Sequence, residues 1–355
     1  MSRYWSTLIN RLTPYVPGEQ PQNAQLIKLN TNENPYHPSP AVLSAISSIS
    51  AAQLSLYPQP ESASLRLAFA DLNQLQPEQV FLGNGSDEVL AHVFQALLSH
   101  NKPVCFPDVS YSFYPVWCEL YSLSYVTVPL AEDFTVDINT YPIDNGGIII
   151  PNPNAPTGIL MRLAEIREFL EANSESVVVI DEAYIDFGGD SAVGLIDQYD
   201  NLLVVQTLSK SRSLAGLRVG VAMGHHKLIE GLERLKNSFN SYPLGVLAQT
   251  AALASLHDVD YFEVICARIV ASREKLTTAL EDMGFSVLPS MANFLFVTHS
   301  DYDAGVLFEG LREKNILVRY FDKPRTRDFL RISIGTDEQC AAVVSALADL
   351  LGHHV

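Results

Sequence analysis

Lys210 stands in Thr207-Leu-Ser-Lys-Ser-Arg-Ser-Leu-Ala-Gly-Leu-Arg218, a cation set among three serines between two apolar runs, Leu202 to Val205 and Val219 to Met223. Each run reads as a buried strand. A lysine between two such strands has two readings. In one it lies in a solvated turn with its ammonium in water. In the other its amine sits in a walled site, where desolvation and nearby positive charge favour the neutral nucleophile that Schiff-base chemistry needs. Arg218 and the serine hydroxyls add what a phosphate would want, and a lysine with a phosphate shell is what a pyridoxal phosphate site requires. This segment by itself leaves both readings open.

Other segments turn one lysine into a constellation. Val177-Val-Val-Ile-Asp-Glu-Ala-Tyr184 is an apolar run ending in acid, and a carboxylate at the C-terminal end of a strand faces the crevice where α/β sheets bind ligands. Without Lys210 downstream, Asp181 would read as a helix cap or a turn residue. Gly83-Asn-Gly-Ser-Asp-Glu88 lies between the strand at Val80 and a helix expected from Ser86, so free backbone N–H groups there could cradle a phosphate. It is no dinucleotide fingerprint, because Glu88 stands where the third glycine belongs. Pro151-Asn-Pro-Asn-Ala-Pro-Thr-Gly158 follows the run Gly147 to Ile150. Such a turn is usually a rigid loop, yet it brings Asn154 to a strand end beside the same crevice.

The elements that must position these residues alternate from about 60 to 240. Helices are expected near 61–74, 86–99, 112–121 and 162–172, and strands at 79–82, 103–106, 123–128, 147–150, 177–181, 202–206 and 218–223. Alternation of this kind makes an α/β domain with a mainly parallel sheet covered by helices. Residues 1–28, with Pro14, Pro17 and Pro21, read as an arm with a short helix before Pro14. Residues 29–240 form the large domain and 241–355 a smaller α+β domain. The latter has helices at 245–256 and 261–283, strands at 293–297, 316–318 and 329–334, and a closing amphipathic helix at 337–351. His225 and His226 read as a helix start, and His353 with His354 as a solvated tail. Arg331 lies in an alternating run, so it points to one face while Leu330 and Ile332 point to the other. It is either an exposed strand arginine or a bidentate anion clamp. Arg319 closes an apolar run in the same way.

These blocks carry a resemblance. Asn84 to Glu88, Pro151 to Gly158, Asp181-Glu-Ala-Tyr184, and Thr207 to Lys210 with Ala215-Gly-Leu-Arg218 resemble the fold-type I aminotransferases. Leu12-Thr-Pro-Tyr-Val-Pro-Gly18, Leu29-Asn-Thr-Asn-Glu-Asn-Pro35, Leu56-Tyr-Pro58 and Leu330-Arg-Ile-Ser-Ile-Gly-Thr336 are similar, in the same order, to blocks of the histidinol-phosphate aminotransferase subfamily. The lysine and aspartate blocks belong to the superfamily, and the terminal blocks point to the subfamily. What the resemblance implies is a pyridoxal 5'-phosphate enzyme that moves an amino group between L-histidinol phosphate and 2-oxoglutarate in histidine biosynthesis. Lys210 would hold the coenzyme and carry protons, and Asp181 would face the pyridine nitrogen. Tyr184 and Asn154 would reach the ring's phenolic oxygen, and Tyr111 would stack on the ring. Ser86, Asp87 through its backbone N–H, Ser209 and Arg218 would hold the coenzyme phosphate, with Tyr57 supplied by the other subunit of a homodimer. Arg331, with Arg319 and Tyr15 from the arm, would take the anionic ends of both substrates.

Composition bounds the alternatives. The chain of 355 residues is 47% hydrophobic and carries a net charge of −17 with a pI near 4.8, enough apolar residue for a large core and the wrong sign for nucleic acid or anionic membranes. Cys105, Cys118, Cys266 and Cys340 are scattered without a CxxC pair. Buried thiols in a reducing compartment are expected, with no metal site. The first residues lack the apolar core of a signal peptide, and no run approaches a membrane span, so the expected location is the cytoplasm. Two enzymes would share the scaffold, an aromatic amino acid aminotransferase and a threonine-phosphate decarboxylase. A regulatory module would need a DNA-binding extension for which there is no room. A serine hydrolase resting on Ser272-Arg-Glu-Lys275 is disfavoured, because that tetrapeptide falls inside an expected helix.

Overall fold

A computed structural model describes residues 2–21 and 26–352, so His353 and His354 lie outside the described residues. In chain order, helix α1 (Thr7–Arg11) and strand β1 (Ile27–Lys28) precede α2 (Pro40–Ser47), α3 (Ala51–Leu54) and α4 (Ala63–Asn73). Then come β2 (Val80–Gly83), α5 (Gly85–Ala96), β3 (Val104–Pro107), α6 (Tyr114–Tyr121), β4 (Tyr125–Val128) and β5 (Ile148–Pro151). They are followed by α7 (Leu163–Ala172), β6 (Val178–Asp181), β7 (Leu202–Thr207), β8 (Gly220–Gly224) and α8 (His226–Phe239). The remainder is α9 (Val246–His257), α10 (Val259–Asp282), β9 (Phe285–Val287), β10 (Phe294–His299), α11 (Ala304–Glu313), β11 (Ile316–Leu317), β12 (Arg319–Tyr320), β13 (Leu330–Ser333) and α12 (Asp337–Leu351).

Seven strands form the central sheet in the order β2-β8-β7-β6-β5-β3-β4. Its inner strands are apolar without alternation because both faces are covered. Leu202 and Val204 of β7 join a core with α2, α4, α7 and α9, while Leu203 and Val205 join a second core with α5, α6 and α8. Five neighbouring strands run parallel, and β8 alone runs against both of its neighbours, β2 and β7. That reversal matters for the site. The C-terminal ends of β2, β3, β5, β6 and β7 lie along one edge, and β8 starts at that same edge, with Gly220 opposite both Gly83 and Thr207. The approach to β8, including Arg218, is thereby delivered to the crevice side.

The second body packs α10, α11 and α12 on a four-stranded antiparallel sheet, β12-β13-β10-β9, around Leu276, Leu307, Ile332 and Leu347. Its core also takes in Leu29, and β1 pairs in parallel with β11. Conversely α9 packs its alanines Ala248, Ala251 and Ala252 into the core of the central sheet. At 24 residues, α10 spans about 36 Å, and its buried Arg273 donates to the carbonyls of Phe187 and Ala292, tying the two bodies together. Ser272 is buried inside α10 and donates to Asp337. The four cysteines are buried and unpaired.

Several elements differ from expectation by a residue or two, each for a local reason. The strand expected from 218 starts at Gly220 because Arg218 has φ +54°, which no strand accommodates. The strand expected from 123 starts at Tyr125, after a helix end in which Ser122 is left-handed. His225 caps α8 rather than entering it.

Candidate active site

The strand ends, the start of α5, the arm and the second body enclose a cavity of about 710 Å3. Lys210, Asp181, Tyr184, Tyr111, Ser86, Asp87, Ser209, Arg218, Tyr15, Arg319 and Arg331 all line it, so eleven residues singled out from separate stretches of sequence meet in one place. Two do not. Tyr57 lies outside this cavity, 84% exposed, its ring stacked on Tyr242 at 4.8 Å. Asn154 is buried just behind the wall that Ala155 and Pro156 form. Its Nδ2 donates to the carbonyl of Val109 and to Thr157 Oγ1, and its Oδ1 is buried without a partner.

Lys210 Nζ donates to the carbonyl of Thr31 at 2.9 Å and lies 5.9 Å from the centre of the Tyr184 ring. Burial first, then the positive charges of Arg331 and Arg218, draw its proton affinity down to about 8, against the opposing pull of Glu33 and Asp87. This amine therefore gives up its proton far more readily than an exposed lysine does.

Asp181, at the end of β6, is buried, and burial raises it to about 6. Its Oδ2 accepts from the Tyr114 hydroxyl at 2.8 Å, while its Oδ1 has no hydrogen-bond partner among the described residues. A buried carboxylate oxygen without a donor is costly, and this one belongs to a cavity wall. Tyr184 accepts at its hydroxyl from Asn32 Nδ2 at 3.0 Å, which leaves its own proton to donate. Tyr111 donates to Asp87 at 3.0 Å, and burial raises the proton affinity of its phenol.

The phosphate-type cradle forms where α5 meets β8. Gly85 has φ +80°, and a Cβ there would lie 2.5 Å from the Arg218 guanidinium; a Cβ on Gly220 would strike the backbone of Gly85 and Ser86. Only glycine at both positions lets the N-terminus of α5 and Arg218 close on the same point. Arg218 bonds the Asp87 carboxylate at 2.9 Å and reaches Ser209 Oγ at 3.5 Å. Asp87 thus contributes its side chain to Arg218 and Tyr111, beyond the backbone N–H expected of it.

On the opposite wall, Arg319 and Arg331 are direct cross-strand partners on β12 and β13. Like charges placed opposite each other destabilise a sheet, and burial together with Arg319 lowers the proton affinity of Arg331. Arg331 is held by the carbonyl of Asn30 and by the faces of Phe294 and Phe321. Tyr15 packs on Phe113 at 4.7 Å. At the rim, Arg325 of the second body bonds Asp108 at 3.0 Å and the carbonyls of Leu130 and Ala131 on the first.

Two contributors escaped the sequence reading. The stretch Asn30 to Asn34 holds Arg331 through the Asn30 carbonyl, Lys210 through the Thr31 carbonyl and Tyr184 through Asn32 Nδ2, and Asn34 Nδ2 donates to the carbonyls of Lys210 and Ser211. Three asparagines within five residues were the available signal. Tyr114 was hidden in an aromatic cluster that reads as core.

An unpartnered acid oxygen at one end and a glycine-opened cationic cradle at the other fit a flat, protonated, phosphate-bearing ring, with an amine of lowered proton affinity alongside. That combination defines a class of enzyme in which a lysine holds an anionic coenzyme. The chain belongs to the family of class I and II aminotransferases, whose sequence model matches residues 24–347, and the enzymes of that family depend on pyridoxal phosphate. It is 57% identical to histidinol-phosphate aminotransferase 2 of Dechloromonas aromatica, covering 99% of this chain and 100% of that one. It is 55% identical to histidinol-phosphate aminotransferase of Pseudomonas syringae, again over 99% and 100%. Its fold is similar to that of histidinol-phosphate aminotransferase from Sinorhizobium meliloti in complex with pyridoxal-5'-phosphate, with a TM-score of 0.88 and 24% identity, covering 99% of this chain and 98% of that one. L-threonine-O-3-phosphate decarboxylase from Porphyromonas gingivalis shares the fold at a TM-score of 0.79 and 21% identity, covering 92% and 100%.

Proposed function

We propose that the protein transfers an amino group between L-histidinol phosphate and 2-oxoglutarate with pyridoxal 5'-phosphate, as a step of histidine biosynthesis. The observation that carries the substrate assignment is the full-length identity of 55–57% to several histidinol-phosphate aminotransferases, joined to two arginines facing each other across a strand pair in the cavity wall. Histidinol phosphate brings a phosphate and glutamate brings carboxylates. Guanidinium groups accept either anion bidentately.

The coenzyme, when bound, supplies an electron sink for the substrate carbanion. Asp181 Oδ1 would accept from the ring N–H, Tyr184 would donate to the ring oxygen, Tyr111 would stack on the ring, and Ser86, the Asp87 N–H, Ser209 and Arg218 would hold the phosphate. Asn154 supports this wall through the Val109 carbonyl. Lys210 would hold the coenzyme through its amine and would move the proton at the substrate's reacting carbon. Tyr15 closes over the substrate from the arm. In this reading the enzyme is a cytoplasmic homodimer, with Tyr57 completing the partner's phosphate site, and the arm, the central-sheet body and the C-terminal body are its three structural units.

The test is a transamination assay of purified protein with 2-oxoglutarate, comparing histidinol phosphate with aromatic amino acids. A higher kcat/KM for histidinol phosphate is expected; preference for phenylalanine would overturn the assignment, and release of carbon dioxide without need for 2-oxoglutarate would point to a decarboxylase. Borohydride reduction followed by peptide mapping is expected to tag Lys210.

A further inference from the structure

We propose that Tyr114 is a positioning residue for the reaction, fixing which oxygen of Asp181 is offered to the coenzyme and keeping that carboxylate charged. The inference rests on the reading that the coenzyme's ring N–H docks at Asp181. Tyr114 lines no part of the cavity and is fully buried, surrounded by the rings of Phe94, Phe106, Tyr111 and Trp117. A phenylalanine would fill that space. The hydroxyl, which is costly to bury unpaired, makes its hydrogen bond to Asp181 Oδ2 at 2.8 Å.

A carboxylate has two equivalent oxygens, and rotation about its last bond exchanges them. Occupying one settles the other. With Oδ2 tied back to α6, Oδ1 is the oxygen left unpartnered. The same bond acts on charge: burial and the neighbouring Asp87 carboxylate both favour the neutral acid, and the Tyr114 hydroxyl opposes them. A neutral Asp181 could not keep a proton on the ring nitrogen.

The experiment compares wild type, Tyr114→Phe, Asp181→Asn and the double variant, each first shown to be folded as apo-protein by circular dichroism. The readouts are the pyridoxal phosphate dissociation constant by equilibrium dialysis, and kcat and KM. Tyr114→Phe is expected to weaken coenzyme binding roughly 10- to 100-fold, the range for loss of a hydrogen bond to a charged group, and to lower kcat with little change in the KM for the amino donor. In the Asp181→Asn background the same substitution is expected to change coenzyme binding by less than about twofold, because coupled residues are not additive. Equal effects in both backgrounds, wild-type binding by Tyr114→Phe, or failure of that variant to fold as apo-protein would each overturn the proposal. Wild-type coenzyme binding by Asp181→Asn would instead overturn the docking of the ring on Asp181.

Discussion

Lys210 is poised by what surrounds it, and its setting has a measurable signature even without coenzyme. The folded chain lowers its proton affinity from 10.5 to about 8, so between those values the unfolded chain holds a proton that the folded one has released. The stability this contributes is complete above pH 10.5 and is lost as pH falls through 8. The difference in unfolding free energy between wild-type apo-protein and Lys210→Met should therefore rise from pH 8 to 10.5, measured by denaturant titration; a flat difference would contradict the setting described. In the holoenzyme, Lys210→Ala should lower kcat by about a thousandfold or more, the scale of a lost general acid–base group. Arg331→Ala should raise KM for both histidinol phosphate and glutamate roughly 10- to 100-fold, and an unchanged KM for either would remove Arg331 from the anion site. These residues were legible in the sequence because each ends or interrupts an unmistakable apolar run. Tyr114 and Asn32 were not, since their roles are contacts with residues far along the chain: 67 positions to Asp181 for Tyr114 and 152 to Tyr184 for Asn32.

At the level of elements, the cradle depends on one reversed strand and two glycines. Gly85→Ala would put a Cβ into the Arg218 guanidinium at a backbone angle that alanine resists. We expect a stability loss of about 1 kcal/mol or more and a coenzyme that dialyses away faster than from wild type. A variant that keeps wild-type melting and coenzyme retention would show the closeness of α5 and β8 to be dispensable. The strands and most helices around this junction could be read from hydrophobic pattern, because strands buried on both faces leave continuous apolar runs. The reversal of β8 could not, as pattern carries no direction. Helix α11 escaped because Gly305 and Gly310 dilute its helical signal, and β9 and β12 because three and two residues are too short to show a period. Helix α2 should have been found: Ser39 caps it and Pro40 opens it.

The whole molecule presents Leu56 and Tyr57 to solvent, 71% and 84% exposed, while the cavity that a tyrosine of this kind would complete lies elsewhere on the same chain. If two copies share their sites, mixing Lys210→Ala chains with Tyr57→Ala chains should restore activity through hybrids in which one of the two sites is intact, and light scattering should report twice the chain mass. A mixture no more active than its parts would refute sharing. The Arg325 fastening at the rim has a kinetic corollary. Three acceptors of the central body hold one guanidinium of the C-terminal body, so parting the two bodies at this rim breaks an electrostatic clasp. Added salt loosens such a clasp, and turnover governed by that parting would then quicken with ionic strength and slow in viscous solvent, a dependence that bond-making steps inside the protein would not show.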